Sequence, residues 1–242
     1  MKTDKLNSKL ISEINLNNSD NWSDQVFITM DIDWAPDFVI EDTLSFFENI
    51  KLTLFVTHKS KILNSLVNNN NFELGIHPNF NFLLNGDFRY GDTIEKVIEY
   101  YLEFVPNSKS VRSHSLANNS HMLDIFTKKN IVYDCNIFIP YYSTIKLNPW
   151  LHWDKKLIRV PYFWEDDVQF MYDPNWLSKP EDIINSNIFR VFNFHPIHIF
   201  LNTENIDRYI AAKPYLNNKE KLKEFINKSK YGTKDFLVDL IR

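Results

Sequence analysis

Glycine is scarce in this chain. Only Gly75, Gly86, Gly91 and Gly232 occur in 242 residues, and neither G-x-G-x-x-G nor G-x-x-x-x-G-K-[ST] can be read anywhere. A nucleotide held by a Gly-rich loop is therefore not expected. Cysteine is scarcer still: Cys135 stands alone between Asp134 and Asn136. No intramolecular disulfide can form, which suits a reducing compartment, and the thiol reads as an inert core group. Long apolar runs are missing too. None approaches the roughly 20 residues a membrane helix needs. The segment Met1–Ser23 is polar, and Leu10-Ile11 is too short for a signal-peptide core. A cytoplasmic protein without a transmembrane segment is expected. Positive charge is not in excess either: the net charge is -4, so nothing suggests nucleic acid as a partner. What the chain has is apolar and aromatic residues, 44% and 15% of the total. That is ample for a full core, with some rings left over to line a cleft.

Residues 1–24 read as a leader, with one short helix over Lys5–Ile14, and residues 25–242 as a single domain. From Val26 onward short apolar, β-branched runs alternate with helical spacings. Strands are expected at Val26–Met30, Leu52–Thr57, Phe72–Ile76, Ser110–Val111, Ile131–Tyr133, Leu157–Pro161 and Phe189–Phe194. Helices are expected at Phe38–Asn49, Lys61–Val67, Thr93–Phe104 and Ser120–Lys129, with Lys219–Lys228 and Lys234–Ile241 in the tail. Residues 79–92 read as a loop. Seven strand–helix units without a linker predict an α/β fold with a parallel sheet, barrel-like, with a doubly wound open sheet as the alternative.

The informative feature is the set of polar residues at the strand ends. Val26–Met30 ends in Asp31-Ile32-Asp33-Trp34; later strands end at His77, at Arg112 and His114, at Asp134, at Glu165-Asp166-Asp167, and at His195 and His198. In a parallel barrel these ends share one face, where sites form. Converging His and Asp suggest a divalent metal, since Zn²⁺ takes both. Spacing alone does not name it: there is no H-E-x-x-H and no C-x-x-C pair. His58 also comes just after a strand; His121 and His152 read as surface or structural. Asp37 reads equally as a helix cap, Asp134 as a turn former and His198 as a rim residue.

The order of these motifs resembles the polysaccharide deacetylases with NodB homology (carbohydrate esterase family 4), over about residues 25–200. Their T-F-D-D motif is similar to Thr29-Met30-Asp31-Ile32-Asp33, with one residue inserted. Their H-[ST]-x-x-H is matched by His77, but Asn81 stands at the second position. Arg112 and the run Phe192-Asn193-Phe194-His195 match the later motifs. The segments WAPDF, GIHPNF, RSHS, PYFWEDD and FNFHPIH look most like the WbmS-like bacterial branch, associated with surface-polysaccharide genes.

The resemblance implies a distorted (β/α)7 barrel of the NodB-homology type and metal-dependent hydrolysis of an N-acyl group on a sugar. It implies Asp31 as general base, Asp33 as a metal ligand beside His77, His195 as general acid, and Arg112 orienting Asp31. With Asn81 a poor zinc ligand, His114 is the expected substitute, two residues past Arg112 on the same side of an extended segment. Asp166 is expected to hold Arg112 or His195 in place. Trp34, Phe163 and Trp164 are candidates for stacking on a sugar face, with core packing the favoured use of any one of them. The expected substrate is an N-acyl amino sugar, a sugar nucleotide or a lipid-linked glycan precursor. A C–N hydrolase of a small non-sugar amide and an inactive glycan-binding pseudoenzyme remain the alternatives, the latter because of Asn81.

Overall fold

The computed structural model describes residues 7–172, 179–184 and 189–242. Its strands are β1 (Ser8–Lys9), β2 (Val26–Asp31), β3 (Leu52–Val56), β4 (Phe72–Ile76), β5 (Ser110–Val111), β6 (Tyr133–Phe138), β7 (Trp150–Leu151), β8 (Ile158–Tyr162), β9 (Trp164–Glu165) and β10 (Arg190–Phe194). The sheet runs β7-β8-β6-β5-β4-β3-β2-β10-β9. Every pairing is parallel except β7 with β8.

The two ends of that sheet are one continuous stretch of chain. β8 pairs with β6, and after Phe163 the same run continues as β9 and pairs with β10, Phe192 opposite Trp164. The sheet therefore curls until β8 and β9 link its two sides, giving the distorted seven-membered barrel rather than the open doubly wound sheet. All of β2 and β3 is buried, as expected for parallel strands covered on both faces. The strands are joined by helices Asp37–Leu44, Lys61–Leu66, Ile94–Leu102 and Ser120–Lys128, all close to their expected places.

Three local expectations are corrected, and three helices are added. The helix over Lys5–Ile14 is absent from the described part: Ser8–Lys9 forms β1 against β2, and Ile11–Glu13 is a 3-10 turn whose Ile11 is fully buried. The loop 79–92 contains the helix Asn81–Leu84. β6 begins later than Ile131 and runs to Phe138, so Asp134 lies inside a strand and pairs with Arg159 at 2.6 Å instead of forming a turn. The segments after β9 and β10 form the helices Asp166–Tyr172, Pro196–Leu201 and Ile206–Ala212. Their short lengths and clustered acids hid the helical period.

One glycine is demanded by packing. A Cβ on Gly75 of β4 would lie 2.6 Å from Ser110 Oγ and 2.7 Å from the Phe55 ring. The missing side chain leaves room for Phe55, and that ring in turn lies against the Arg112 guanidinium at 4.5 Å.

Candidate active site

At the C-terminal ends of the strands a cleft of about 420 Å³ opens, lined by Asp31, Asp33, His77, His114, Glu165 and His195 among others. A larger cleft of about 610 Å³ opens at the opposite end, around Phe72–Leu74. Its buried acid, Glu73, accepts from the Ser12 amide, the Thr53 hydroxyl and the Ser110 hydroxyl. Among the described residues, no buried side-chain polar atom lining that end lacks a hydrogen-bond partner.

Beneath the first cleft lies a buried polar layer inside the barrel. Thr29 and Asp31 alternate along β2 and so face the same way. Arg112, immediately past β5, is fully buried. It donates to Thr29 Oγ1 at 2.9 Å, to Asp31 Oδ1 at 3.1 Å, to the Cys135 carbonyl at 3.2 Å and to Asn193 Oδ1. Its guanidinium lies between the rings of Phe55 and Tyr162, 4.5 and 4.2 Å from their centroids. Burial opposes its charge, but Asp31 outweighs that and Arg112 stays a cation. Asn193 Nδ2 donates to the other Asp31 oxygen at 3.0 Å. Asp31 is thus gripped on both oxygens. Asn193 was missed from the sequence, although a lone amide inside an apolar strand was a usable signal.

Above this layer, three atoms form a nearly equilateral triangle. His77 Nε2 lies 3.2 Å from Asp33 Oδ1, His114 Nδ1 lies 3.3 Å from the same oxygen, and the two nitrogens are 3.3 Å apart. Asp33 Oδ1 is buried, with no hydrogen bond of good geometry. Protons on the imidazole nitrogens or a cation among the three atoms can hold such spacing. Tetrahedral zinc with bonds of about 2.0–2.1 Å sets its ligands about 3.3–3.4 Å apart, so these residues fit the ion. Burial would raise the Asp33 carboxyl, but the His114 and His77 imidazoles outweigh it and hold Asp33 well below the usual carboxylate range. Asn81 is not part of the triangle. Its Nδ2 donates to Ser115 Oγ at 3.1 Å, beside His114.

The fourth wall is His195, first residue past β10. Its Nδ1 lies 2.8 Å from Asp166 Oδ1, and its backbone N–H donates to Asp166 Oδ2 at 2.9 Å. Of the two partners expected for Asp166, it therefore takes His195. The ring's Nε2 is left facing the triangle, 3.8 Å from Asp33 Oδ2. Burial disfavours the His195 imidazolium, yet Asp166, Asp167 and Asp33 raise its pKa well above the ordinary value. Glu165, whose oxygen lies within 4.8 Å of ligand-capable atoms of Asp31 and His195, completes the floor.

Two of the candidate stacking residues are corrected. Phe163 and Trp164 are fully buried: Trp164 stacks on Phe236 at 4.2 Å, and Phe163 packs on Phe192. The run that closes the barrel turns these rings into the core. Trp34 is 37% exposed and sets its edge against the His114 ring at 5.2 Å. His198 is no rim residue. It is buried against Phe170 and Tyr209, and burial followed by the His195 charge pushes it down to about 3, so it stays neutral. Cys135 is buried, as expected of an inert thiol. His152, read as surface or structural, is buried.

Fold and site together describe a hydrolase of the NodB-like barrel type. Residues 28–213 match the model of the WbmS-like polysaccharide deacetylases, and the chain belongs to that family. It is similar over 97% of both chains, at 39% identity and a TM-score of 0.91, to a crystal structure from Bordetella bronchiseptica named as a candidate polysaccharide deacetylase involved in O-antigen biosynthesis. A polysaccharide deacetylase candidate from Mycobacterium smegmatis (16% identity, 65% of this chain and 62% of that one, TM-score 0.41) is too distant to carry any argument. No curated protein matches the chain significantly.

Proposed function

We propose that this protein removes an N-acyl group, expected to be N-acetyl, from an amino sugar during the assembly of a surface polysaccharide, with a divalent metal, Zn²⁺, held by Asp33, His77 and His114. The observation that carries this reading is the triangle of one carboxylate oxygen and two imidazole nitrogens above a doubly anchored Asp31. The O-antigen assignment of the Bordetella relative and the family description support the glycan context. A bound zinc would lower the pKa of its water to about 7 and polarise the acyl carbonyl.

The remaining work falls to side chains. Asp31 accepts the proton of the attacking water as general base. Arg112 and Asn193 fix its carboxylate so that no reorganisation is needed at that moment. His195 gives its Nε2 proton to the departing nitrogen. Asp166 keeps Nδ1 occupied, so the ring cannot present the wrong tautomer. Trp34 serves the site through its contact with His114. His114 lies where it can supply the corner that Asn81 does not, which favours the catalytic reading over the pseudoenzyme.

No described helix is long and apolar enough to cross a membrane. With one buried cysteine, we place the reaction in the cytoplasm, in a single domain that takes in β1, Ile11 and Ile14 as well as residues 25–242. The test is acetate release from a panel of N-acetyl amino sugars, their glycosides and small N-acetyl amides. Zinc-loaded wild type should act on the sugars and Asp31→Asn should not. Turnover of the small amides alone would replace this reading with that of a C–N hydrolase for non-sugar amides.

A further inference from the structure

β6 is not regular where it passes the cleft floor. Asp134 pairs with Arg159 of β8 and Ile137 with Pro161, so β6 spends one residue more than β8 over the same distance. The extra residue makes a bulge, an irregularity that re-aims polar groups beside sites. Here the Cys135 carbonyl accepts from Arg112 Nε at 3.2 Å. The Asn136 side chain reaches to the chain just past β5 and accepts from the Ser113 amide at 2.7 Å.

Ser113 stands between Arg112 and His114. The Arg112 and His114 amides donate to the Ile76 and Pro78 carbonyls, at 3.1 and 3.0 Å, on the β4 side. On the other side, regular pairing of β5 with β6 ends at Val111 and Asp134. Beyond that point the Asn136 side chain takes the place of a strand carbonyl. Ser113 is fully buried and Asn136 is 3% exposed, so the amide has no bulk solvent to fall back on. A ligand carried past the last paired residue of β5 needs such an anchor.

Only an amide suits position 136. While Oδ1 accepts from Ser113, Nδ2 donates to Asp134 Oδ1 at 2.6 Å, and the other Asp134 oxygen lies 2.6 Å from Arg159 Nε. A carboxylate at 136 would meet Asp134 with like charge. An apolar side chain would strand the Ser113 N–H and take a donor from Asp134.

Resting on the metal site proposed above, we propose that Asn136 is a positioning residue for the ion. Through Ser113 it fixes the backbone that brings His114 Nδ1 within 3.3 Å of both Asp33 Oδ1 and His77 Nε2. It acts through the backbone and not as a ligand.

The test compares wild type, Asn136→Ala, and Asp134→Asn combined with Asn136→Asp. In the combined variant a carboxylate still accepts from Ser113, an amide still donates to that carboxylate, and net charge is kept. Amide hydrogen exchange of the metal-free proteins, followed by NMR, reads the anchor. Competition against a chromophoric chelator reads zinc affinity. The Ser113 amide should be protected in wild type and exchange at least about tenfold faster in Asn136→Ala. Zinc affinity should fall about 10–100-fold in Asn136→Ala and return to within about threefold of wild type in the combined variant. An unprotected Ser113 amide in wild type, a result that needs no variant to fold, would overturn the anchor. So would wild-type zinc affinity in folded Asn136→Ala, or a combined variant as weak as Asn136→Ala. A role in stability alone would lower the urea midpoint of Asn136→Ala and leave Ser113 exchange and zinc affinity unchanged, and that too would overturn the proposal. Wild type that takes up no zinc defeats the metal reading instead; the exchange measurement, made without metal, still decides for or against the anchor.

Discussion

Replacing His114 by Ala removes one corner of the triangle and leaves Asp33 Oδ1 and His77 Nε2 alone, 3.2 Å apart. Losing only a hydrogen-bond partner of a metal ligand typically costs 10–100-fold in affinity. Losing the ligand itself should exceed the top of that range, so zinc affinity is expected to fall at least about 100-fold, or about 2.7 kcal/mol at 1.36 kcal/mol per decade. The fold should survive, because the His114 side chain is 27% exposed and lies at a cleft wall rather than in the core. Zinc content after purification without chelator, then competition against a chromophoric chelator, measures the loss. Circular dichroism checks the fold. Asn81→Ala is the comparison: its side chain reaches only Ser115 among the described residues, supporting His114 without being a corner of the triangle, so zinc affinity should fall by about tenfold, well short of the loss in His114→Ala. Wild-type zinc affinity in His114→Ala, with loss in Asn81→Ala, would mean that the second motif position still supplies the ligand and that the triangle is accidental.

Arg112→Met leaves Asp31 as a buried charge without its main partner, and such breaks cost about 3–5 kcal/mol; urea unfolding giving a loss below about 1 kcal/mol would refute the central place of the layer. Asp166→Asn removes the acceptor that fixes His195, so kcat should fall by about 10²–10⁴ with KM little changed; equal losses in binding and turnover would assign Asp166 to substrate contact instead. Glu73, at the far end of the barrel, has its pKa raised by burial. A carboxyl raised on folding holds extra protons in the native state, so its contribution falls as pH rises from the unfolded value through the folded one. Glu73→Gln should therefore be worth more, relative to wild type, at pH 7 than at pH 4. A stability difference that does not change across that window argues against the shift.

The barrel was legible because its strands are buried on both faces and read as near-continuous apolar runs, each stopped by a polar residue. Asp31, His77, Arg112 and His195 all obey that rule, which is why their convergence could be expected from order alone. Closure was not legible. Nothing in Ile158–Glu165 announces that one run serves two neighbours, so the sequence leaves Phe163 and Trp164 open between cleft and core, and the bend sends them inward. The leader misled for a related reason: a two-residue strand with a 3-10 turn has no period to detect, yet it seats Ile11 and Ile14 in the core. Asn193 was hidden between Phe192 and Phe194, inside a run read for the histidine that ends it. A polar residue inside a buried strand is the better signal, since it must be matched by another buried polar group.

The two proposed ligands that depart from the family pattern share a backbone peculiarity. Asp33 and Trp34 have φ of 40° and 56°, and Ser115 and Leu116, just past His114, have φ of 57° and 53°. Left-handed conformation in such residues costs about 1–2 kcal/mol each. The extra residue in the first motif explains the first pair. Ile32 is fully buried and turns into the core, so the chain must reverse sharply to bring Asp33 back over Asp31. The Trp34 amide, donating to Thr57 Oγ1 at 3.0 Å, and the Ala35 amide, donating to the Ile32 carbonyl at 2.9 Å, hold that reversal. The second pair arises from the shifted histidine. A ligand carried just past β5 must stop short of the cleft centre, and the His114 amide on the Pro78 carbonyl, with Asn81 on Ser115, anchors the turn that makes it do so. Asn81 thus stands where the pattern has a ligand and supports the residue that takes its place. Strain held in this way, in the loops of both proposed ligands and against opposing hydrogen bonds, is what the proposed ion site would need in order to be preorganised and what a solvated rim would have relaxed.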